Sequence, residues 1–515
     1  MWRWPSSRTV VVSIAVVLFV ACCLLPVVYV LMVPLSSRTI GPTDMWLDAR
    51  QQGLLWNTAR LGLGTALLAT AIGAPLGLAL ARIAVRGKSL LRVALAAPVL
   101  LPPYVVALAW TYLGNSNDLF STWTYSLPAA IVVLGLVYYP LSMLATEVAL
   151  RRVDGRLEEA AWLTAPPGVV LRRITFPLAA PSVLAAALII FVLSVSEFGV
   201  PGLLRVRVYT TEVFTAFAAL YDFRRAMLLA VPLLVLCLIV AVVAVVLTGE
   251  RLVTTRRASG TRPPLLDGWR RPAEAATFAT VAIALGIPLM VLVREALGAE
   301  SLRAVLNGSG RAIANSLVLA TIGATAVVGL ALWLGYARAR TRGHLGQLAD
   351  VLFVVAFAVP STIVGVGLIG LWNRPGLVGT LYGTDAMFIL GYLARFVPVA
   401  ALAVAATTRY VPVSHEEAAA VSGAGWLRTI TRIVVPQIRL GLLTAWVIAF
   451  VLAFGELGVS ILIAPPGEAT LPIRIYTIIA NTPPSHVAVL ALLQTAVVLS
   501  PLGLLALAVS IRERR

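Results

Sequence analysis

Residues 416–436 read Glu416-Glu417-Ala418-Ala419-Ala420-Val421-Ser422-Gly423, then nine residues, then Ile433-Val434-Val435-Pro436. A matching run stands 258 positions earlier as Glu158-Glu159-Ala160-Ala161. In the same register Asn57-Thr58 matches Asn315-Ser316, Gly77 matches Gly335, Ala81-Arg82 matches Ala339-Arg340, Pro102 matches Pro360 and Pro140 matches Pro398. Past the Glu-Ala-Ala run the offset becomes 259: Ile174 matches Ile433, Pro177 matches Pro436, Glu197 matches Glu456 and Gly199 matches Gly458. Alanine matches carry little weight in an apolar chain. Proline, arginine and glutamate matches held in one register mark an internal duplication.

Composition says what is duplicated. The 515 residues are 60% hydrophobic and only 12% charged, with a mean hydropathy of +0.95. Soluble domains run about 45–50% apolar and about 25% charged, so a globular enzyme is excluded. A disordered chain, which needs few apolar residues and many charges, is excluded too. Apolar runs near the ~20 residues that cross a bilayer fall at 9–33, 59–81, 93–113, 127–149, 179–200 and 226–248. Six more fall at 275–293, 314–337, 350–372, 385–407, 438–463 and 486–509. The expected fold is an all-α polytopic membrane protein of about 12 transmembrane helices, arranged as two six-helix repeats. Residues 1–247 and 274–515 form the two transmembrane domains, and the polar, arginine-rich stretch 248–273 links them in the cytoplasm. The first run is too long for the apolar core of a secretory signal and reads as a retained span. Cys22, Cys23 and Cys237 all fall in apolar runs, as small core residues do.

The net charge of +18 follows the membrane rather than a nucleic acid. With a cytoplasmic N-terminus, 26 of the 40 cations fall on the inside and 11 outside. That bias places both termini in the cytoplasm. An even number of spans per half then gives both halves the same orientation, a parallel repeat.

The polar segment between the fourth and fifth runs of each half carries the functional signal. Glu-Ala-Ala-Ala starts a helix well, because acidic residues suit the first turn and alanine has the best propensity. Gly423 is placed to end that helix at positive φ. A second short helix, Trp426 to Ile433, follows, and Pro436 punctuates the approach to the next span. Two short helices around a glycine corner make a stiff cytoplasmic knob. The segment resembles the EAA loop of permeases from binding-protein-dependent ABC importers: Glu-Ala-Ala, three residues, Gly, nine residues, Ile, one residue, an aliphatic residue, Pro. The second half fits throughout, through Glu417, Ala418, Ala419, Gly423, Ile433 and Pro436. The first half has Glu159, Ala160 and Ala161, but Ala165 stands where the glycine belongs and Pro166-Pro167-Gly168 follows, a Pro-Pro-Gly corner that can still break the helix and make a working but differently shaped knob.

The resemblance implies that each half is an ABC importer type I transmembrane domain in the inner membrane of a prokaryote. It implies two ATP-binding subunits, as a homodimer, docked on the two knobs, and an extracytoplasmic solute-binding protein that delivers the cargo. ATP is bound by the partner, so this chain needs no cofactor and is not an enzyme. Fused pairs of this kind are similar to permeases for ferric iron, thiamine, polyamines and phosphonates. Residues 196–201 and 468–476 look most like the ferric-iron type.

The chain has no phosphate loop of its own. Gly87-Lys88-Ser89 matches the tail of one, but Arg82 stands where the first glycine belongs. His344, His415 and His486 have no metal-ligand spacing. Charge at membrane depth is costly and points to function. Glu197 and Glu456, equivalent in the repeat, are therefore candidates to line the translocation pathway, with hydrogen bonding inside the bundle or a place at the outer headgroup level as the alternative. An ion-coupled secondary transporter using these two acids is the competing class. Neighbouring genes for a phosphate-loop ATPase and an exported binding protein would separate the two.

Overall fold

The computed structural model describes residues 7–36, 48–83, 85–116, 118–153, 158, 160–161, 163–248, 267–299 and 302–513. Every regular element among them is helical. The first half contributes α1 (Ser7–Val33), α2 (Ala49–Arg82), the bent pair α3 (Lys88–Leu100) and α4 (Pro103–Asn115), α5 (Leu127–Arg152), α6 (Gly168–Ser196) and α7 (Phe223–Ala244). From the second come α8 (Arg270–Ala296), α9 (Leu302–Arg340), the bent pair α10 (His344–Ala358) and α11 (Ser361–Trp372), and α12 (Ala386–Thr408). It continues with the short α13 (Val413–Val421), then α14 (Trp426–Phe454) and α15 (Pro484–Pro501). Ten of these helices are long and apolar enough to cross a membrane alone, and counting each bent pair as one span gives the expected twelve.

Proline chemistry decides which spans stay whole. The third span of each half bends, by 90° between α3 and α4 and by 95° between α10 and α11. Leu101 and Val359, just before Pro102 and Pro360, are extended, as the clash with a following proline ring requires. Pro140 and Pro398 instead sit inside the unbroken helices α5 and α12. Pro436 does not punctuate either: α14 runs from Trp426 straight through it to Phe454. One wide turn, Ile430–Val434, closed by the Val435 N–H on the Ile430 carbonyl, precedes the proline and absorbs its missing donor and its ring. The same turn precedes Pro26, Pro177 and Pro288, at Val20–Leu24, Leu171–Thr175 and Ala282–Gly286.

The helices pack as two compact units. One holds Asp48–Thr211, Ile239–Leu306 and Ile478–Arg515; the other holds Met1–Leu47, Glu212–Leu238 and Asn307–Thr477. Each is thus built on four spans of one half, joined by the first span and all or part of the last span of the other. Within the second of these units Phe19 of α1 meets Phe353 of α10 edge to face at 5.1 Å, and the Cys23 thiol donates to the Leu393 carbonyl. Within the first, the Tyr104 hydroxyl of α4 donates to Gln494 of α15 at 2.5 Å. Packing therefore groups residues differently from the division at 1–247, 248–273 and 274–515 that the repeat suggests. Of the 248–273 stretch, residues 249–266 lie outside the described residues, and helix resumes at Asp267.

The repeat reappears as geometry. A Cβ on Gly77 of α2 would sit 2.4 Å from the Met143 carbonyl oxygen of α5, and one on Gly335 of α9 would sit 2.7 Å from the Ala401 carbonyl oxygen of α12. All four positions keep the offset of 258. In both halves the second span lies backbone to backbone on the fourth. The three cysteines are free and buried.

Candidate functional site

In the second half the two adjacent glutamates of α13 face opposite ways. Glu416 turns inward and is buried. Arg340, the last residue of α9, donates Nε and Nη2 to its Oε1 at 2.8 and 2.5 Å. The Tyr336 hydroxyl donates to its Oε2 at 2.7 Å. Arg340 also donates to the Val411 carbonyl at 3.0 Å, just before α13. Trp426, which opens α14, is buried, donates from its ring to the Tyr336 hydroxyl at 3.4 Å and packs on Trp333 and Tyr336. A buried pair so fully hydrogen-bonded fixes geometry, and removing one partner would strand the other charge. Glu417 and Ala418 face solvent, while Ala419 and Ala420 return to the interior.

The corner is the expected one. Gly423 has φ 77. Its N–H donates to the Ala420 carbonyl, and the Ala424 N–H reaches back to Ala419, each at 3.0 Å. This is a helix end that a left-handed residue closes.

The first half reaches the same lock by other means. Glu158 is buried against Arg82, the last residue of α2, at 2.9 Å, with side chains 4% and 1% exposed. Thr175 of α6 donates to it at 2.8 Å, and Arg82 donates to the Leu150 carbonyl at 2.9 Å. Glu159 lies outside the described residues. Ala160 is exposed and Ala161 half-buried. The chain turns at Ala161, whose carbonyl accepts the Thr164 and Ala165 N–H groups at 3.1 and 2.9 Å. Pro166 follows that turn, and Gly168 is helical with open space around it.

At the far end of the same spans a second set of matched residues holds the loop that follows α6 or α14. The Tyr209 N–H donates to the Thr58 hydroxyl at 3.1 Å, and the Leu471 N–H donates to the Ser316 hydroxyl at 2.6 Å. Asn57 donates to the Arg207 carbonyl at 3.3 Å, and Asn315 donates to the Glu468 carboxylate at 2.7 Å. Arg311 pairs with the same carboxylate. Burial, with Asp48 nearby, pushes the Tyr209 hydroxyl up to about 12, so it stays a neutral donor to the Gln51 carbonyl at 3.2 Å.

Glu197 and Glu456 begin these loops. Both are half-buried. Glu197 accepts the Gly199 and Val200 N–H groups at 3.0 and 3.4 Å. Glu456 accepts the Val459 N–H at 2.9 Å. Each carboxylate thus holds the first turn of the short helix after it.

Two cation features complete the inventory. Arg395, mid-way along α12 and buried, donates to the Val359 carbonyl at the bend between α10 and α11. Gly87-Lys88-Ser89 opens α3 directly after α2, with a helix where a phosphate loop has a strand. Among the described residues no three His, Cys, Asp or Glu side chains gather as metal ligands, and His415 lies beside Gln437.

Sequence reasoning picked Glu159 and Glu417 and passed over the buried Glu158 and Glu416. Arg82, Arg340, Glu158 and Glu416 were already in register there. An arginine closing a span in both halves, with a second glutamate beside each Glu-Ala-Ala, was the available signal.

Residues 327–510 match the family described as "binding-protein-dependent transport system inner membrane component". A putative ABC transporter permease protein, ORF1 of Streptomyces antibioticus, is 32% identical over 187 residues, which is 36% of this chain and 77% of that one. The chain belongs to this permease family. The permease is also 23% identical over 459 residues to the Fe(3+)-transport system permease protein FbpB 2 of Haemophilus influenzae, covering 88% of this chain and 89% of that one. The molybdenum transport system permease protein ModB of Escherichia coli is 33% identical over 158 residues, 28% of this chain and 69% of the relative. The knobs are thus those of an ABC importer permease, a multi-pass membrane protein whose transport depends on a binding protein.

Proposed function

We propose that the two knobs are the docking points for two ATP-binding subunits, a homodimer, and that one copy of this chain receives both. The observation that carries this is the second knob itself. Its base is fixed by the buried Arg340–Glu416 pair, and its outer face presents Glu417 with Val421 and Leu427, which are 69% and 48% exposed. Apolar side chains beside a carboxylate, held out on a rigid corner, suit a protein surface. Glu417, Ala418 and Gly423 form that contact in the second half, with Ala419 packed beneath them, and Glu159, Ala160, Ala161 and Gly168 form it in the first. ATP is bound by the partner, and this chain holds no cofactor of its own. Closure of the ATPase pair drives alternating access by rigid-body motion of bundles.

The cargo is ferric iron, delivered by an extracytoplasmic binding protein. Support comes from the relative that spans nearly the whole chain and is named for Fe(3+) transport. Glu197 and Glu456 flank the cargo route at the ends of α6 and α14. The arginine bias supports cytoplasmic N- and C-termini in the inner membrane of a prokaryote. Reconstitution with the ATP-binding subunits and the binding protein tests the assignment. ATP-dependent uptake of radiolabelled ferric iron is expected, and uptake that needs no ATP or no binding protein would refute it.

A further inference from the structure

The second span of each half touches both ends of its own transport machinery. In the second half α9 carries Arg340 at one end, on the knob glutamate Glu416, and Ser316 toward the other, on the Leu471 N–H of the loop beyond α14. The first half does the same with Arg82 on Glu158 and Thr58 on the Tyr209 N–H. Both hydroxyl-to-arginine spacings are 24 residues, which is about 36 Å of helix at 1.5 Å per residue. The loop and the knob are also joined by the fifth span. Trp426 of α14 reaches Tyr336 of α9 beside the knob, and Thr175 of α6 reaches Glu158. Each half therefore contains a closed frame: two long helices as uprights, the knob as one crosspiece and the loop after the fifth span as the other.

We propose that α9 and α2 are connecting rods, with Arg340, Ser316, Arg82 and Thr58 as positioning residues that carry knob movement across the membrane to the opposite loop. Four observations support it. The contacts are matched in both halves. Each rod is one continuous helix. The rods lie on the fourth span at backbone distance through Gly77 and Gly335, leaving no soft layer to absorb motion. Ser316, Thr58, Leu471 and Tyr209 are all buried, so water does not readily replace a lost hydroxyl. α2 contains Pro75, whereas α9 has no proline, so the second half is the cleaner place to test it.

The inference rests on the knobs being the ATPase contacts, and the experiment separates the two. The permease is reconstituted with its ATP-binding subunits and binding protein, as wild type, Ser316→Ala, Ser316→Thr, Arg340→Met and the Ser316→Ala/Arg340→Met double variant. Ser316→Ala acts about 36 Å from the knob. It should keep its co-purified ATPase subunits and basal hydrolysis, and lose about tenfold of binding-protein-stimulated hydrolysis and of uptake, a size typical of coupling between sites. Ser316→Thr, which retains the hydroxyl, should restore both. The double variant should be no worse than the poorer single one, because a rod cut at both ends transmits no less than one cut once. Wild-type stimulation in Ser316→Ala, failure of Ser316→Thr, or losses that multiply in the double variant would overturn the rod. The docking assignment has its own readout, ATPase co-purification by Glu417→Lys.

Discussion

Gly335→Ala and Gly329→Ala place the same methyl group on the same helix and should move stability in opposite directions. Both lie in α9. A Cβ on Gly335 meets the Ala401 carbonyl oxygen at 2.7 Å and the Val404 side chain at 2.8 and 2.9 Å, while one on Gly329 has nothing within 4 Å. At Gly335 the nearest atom is backbone, which cannot rotate away, so α9 and α12 must separate. Overpacking of this kind costs about 1–3 kcal/mol. At Gly329 the exchange gains helix propensity worth about 1 kcal/mol. The propensity gain is common to both exchanges, so the expected gap between the variants is the overpacking cost, about 1–3 kcal/mol. Gly77→Ala should behave like Gly335→Ala, and more severely, because its Cβ meets the Met143 carbonyl oxygen at 2.4 Å. Thermal unfolding of the purified protein in one detergent, followed by loss of monodisperse protein, reads the order. Gly335→Ala as stable as Gly329→Ala would refute the backbone contact, and with it the tight rod on which force transmission depends.

Three further outcomes follow from single contacts. Gly423→Ala should destabilise the corner by about 1–2 kcal/mol, the cost of a Cβ in the left-handed region, while Gly423→Asn costs less. Hydrogen exchange on residues 413–429 reads the difference, and equal protection in both would count against the corner. Glu197→Gln and Glu456→Gln keep an oxygen for the backbone N–H groups while deleting charge. Reduced uptake with unchanged melting is expected if the charge serves the cargo route, and unchanged uptake would remove both residues from it. Arg395→Leu deletes a costly intramembrane charge together with the donor to Val359. Uptake should fall while thermal stability is kept, whereas a collapse in stability with residual transport would show that the arginine only holds the fold.

The repeat and the spans were legible in the sequence because they rest on features that survive divergence: apolar runs, prolines and paired charges at a fixed offset. Gly423 was legible for the same reason, since one backbone conformation singles out one residue type. Pro436 misled, because a proline was expected to interrupt and a widened turn at Ile430–Val434 absorbs it instead. In the first half the chain turns just before the Pro-Pro-Gly run, on the Ala161 carbonyl. The pairs Arg82–Glu158 and Arg340–Glu416 span 76 residues each. Which of two adjacent glutamates turns inward depends on how the knob lies on the second span, and no local pattern encodes that. Nor does the sequence show that α1 packs on α10 to α12, because a uniformly apolar helix has no preferred partner until the others are in place.

The central claim is that the outward face of the knob holds the ATPase. Co-purification of the ATP-binding subunits with Glu417→Lys, in a permease whose melting and Arg340–Glu416 lock are intact, tests it most directly. Loss of the subunits from this variant, with retention in Ser316→Ala, is the predicted result. An undiminished yield of bound subunits in Glu417→Lys would contradict it.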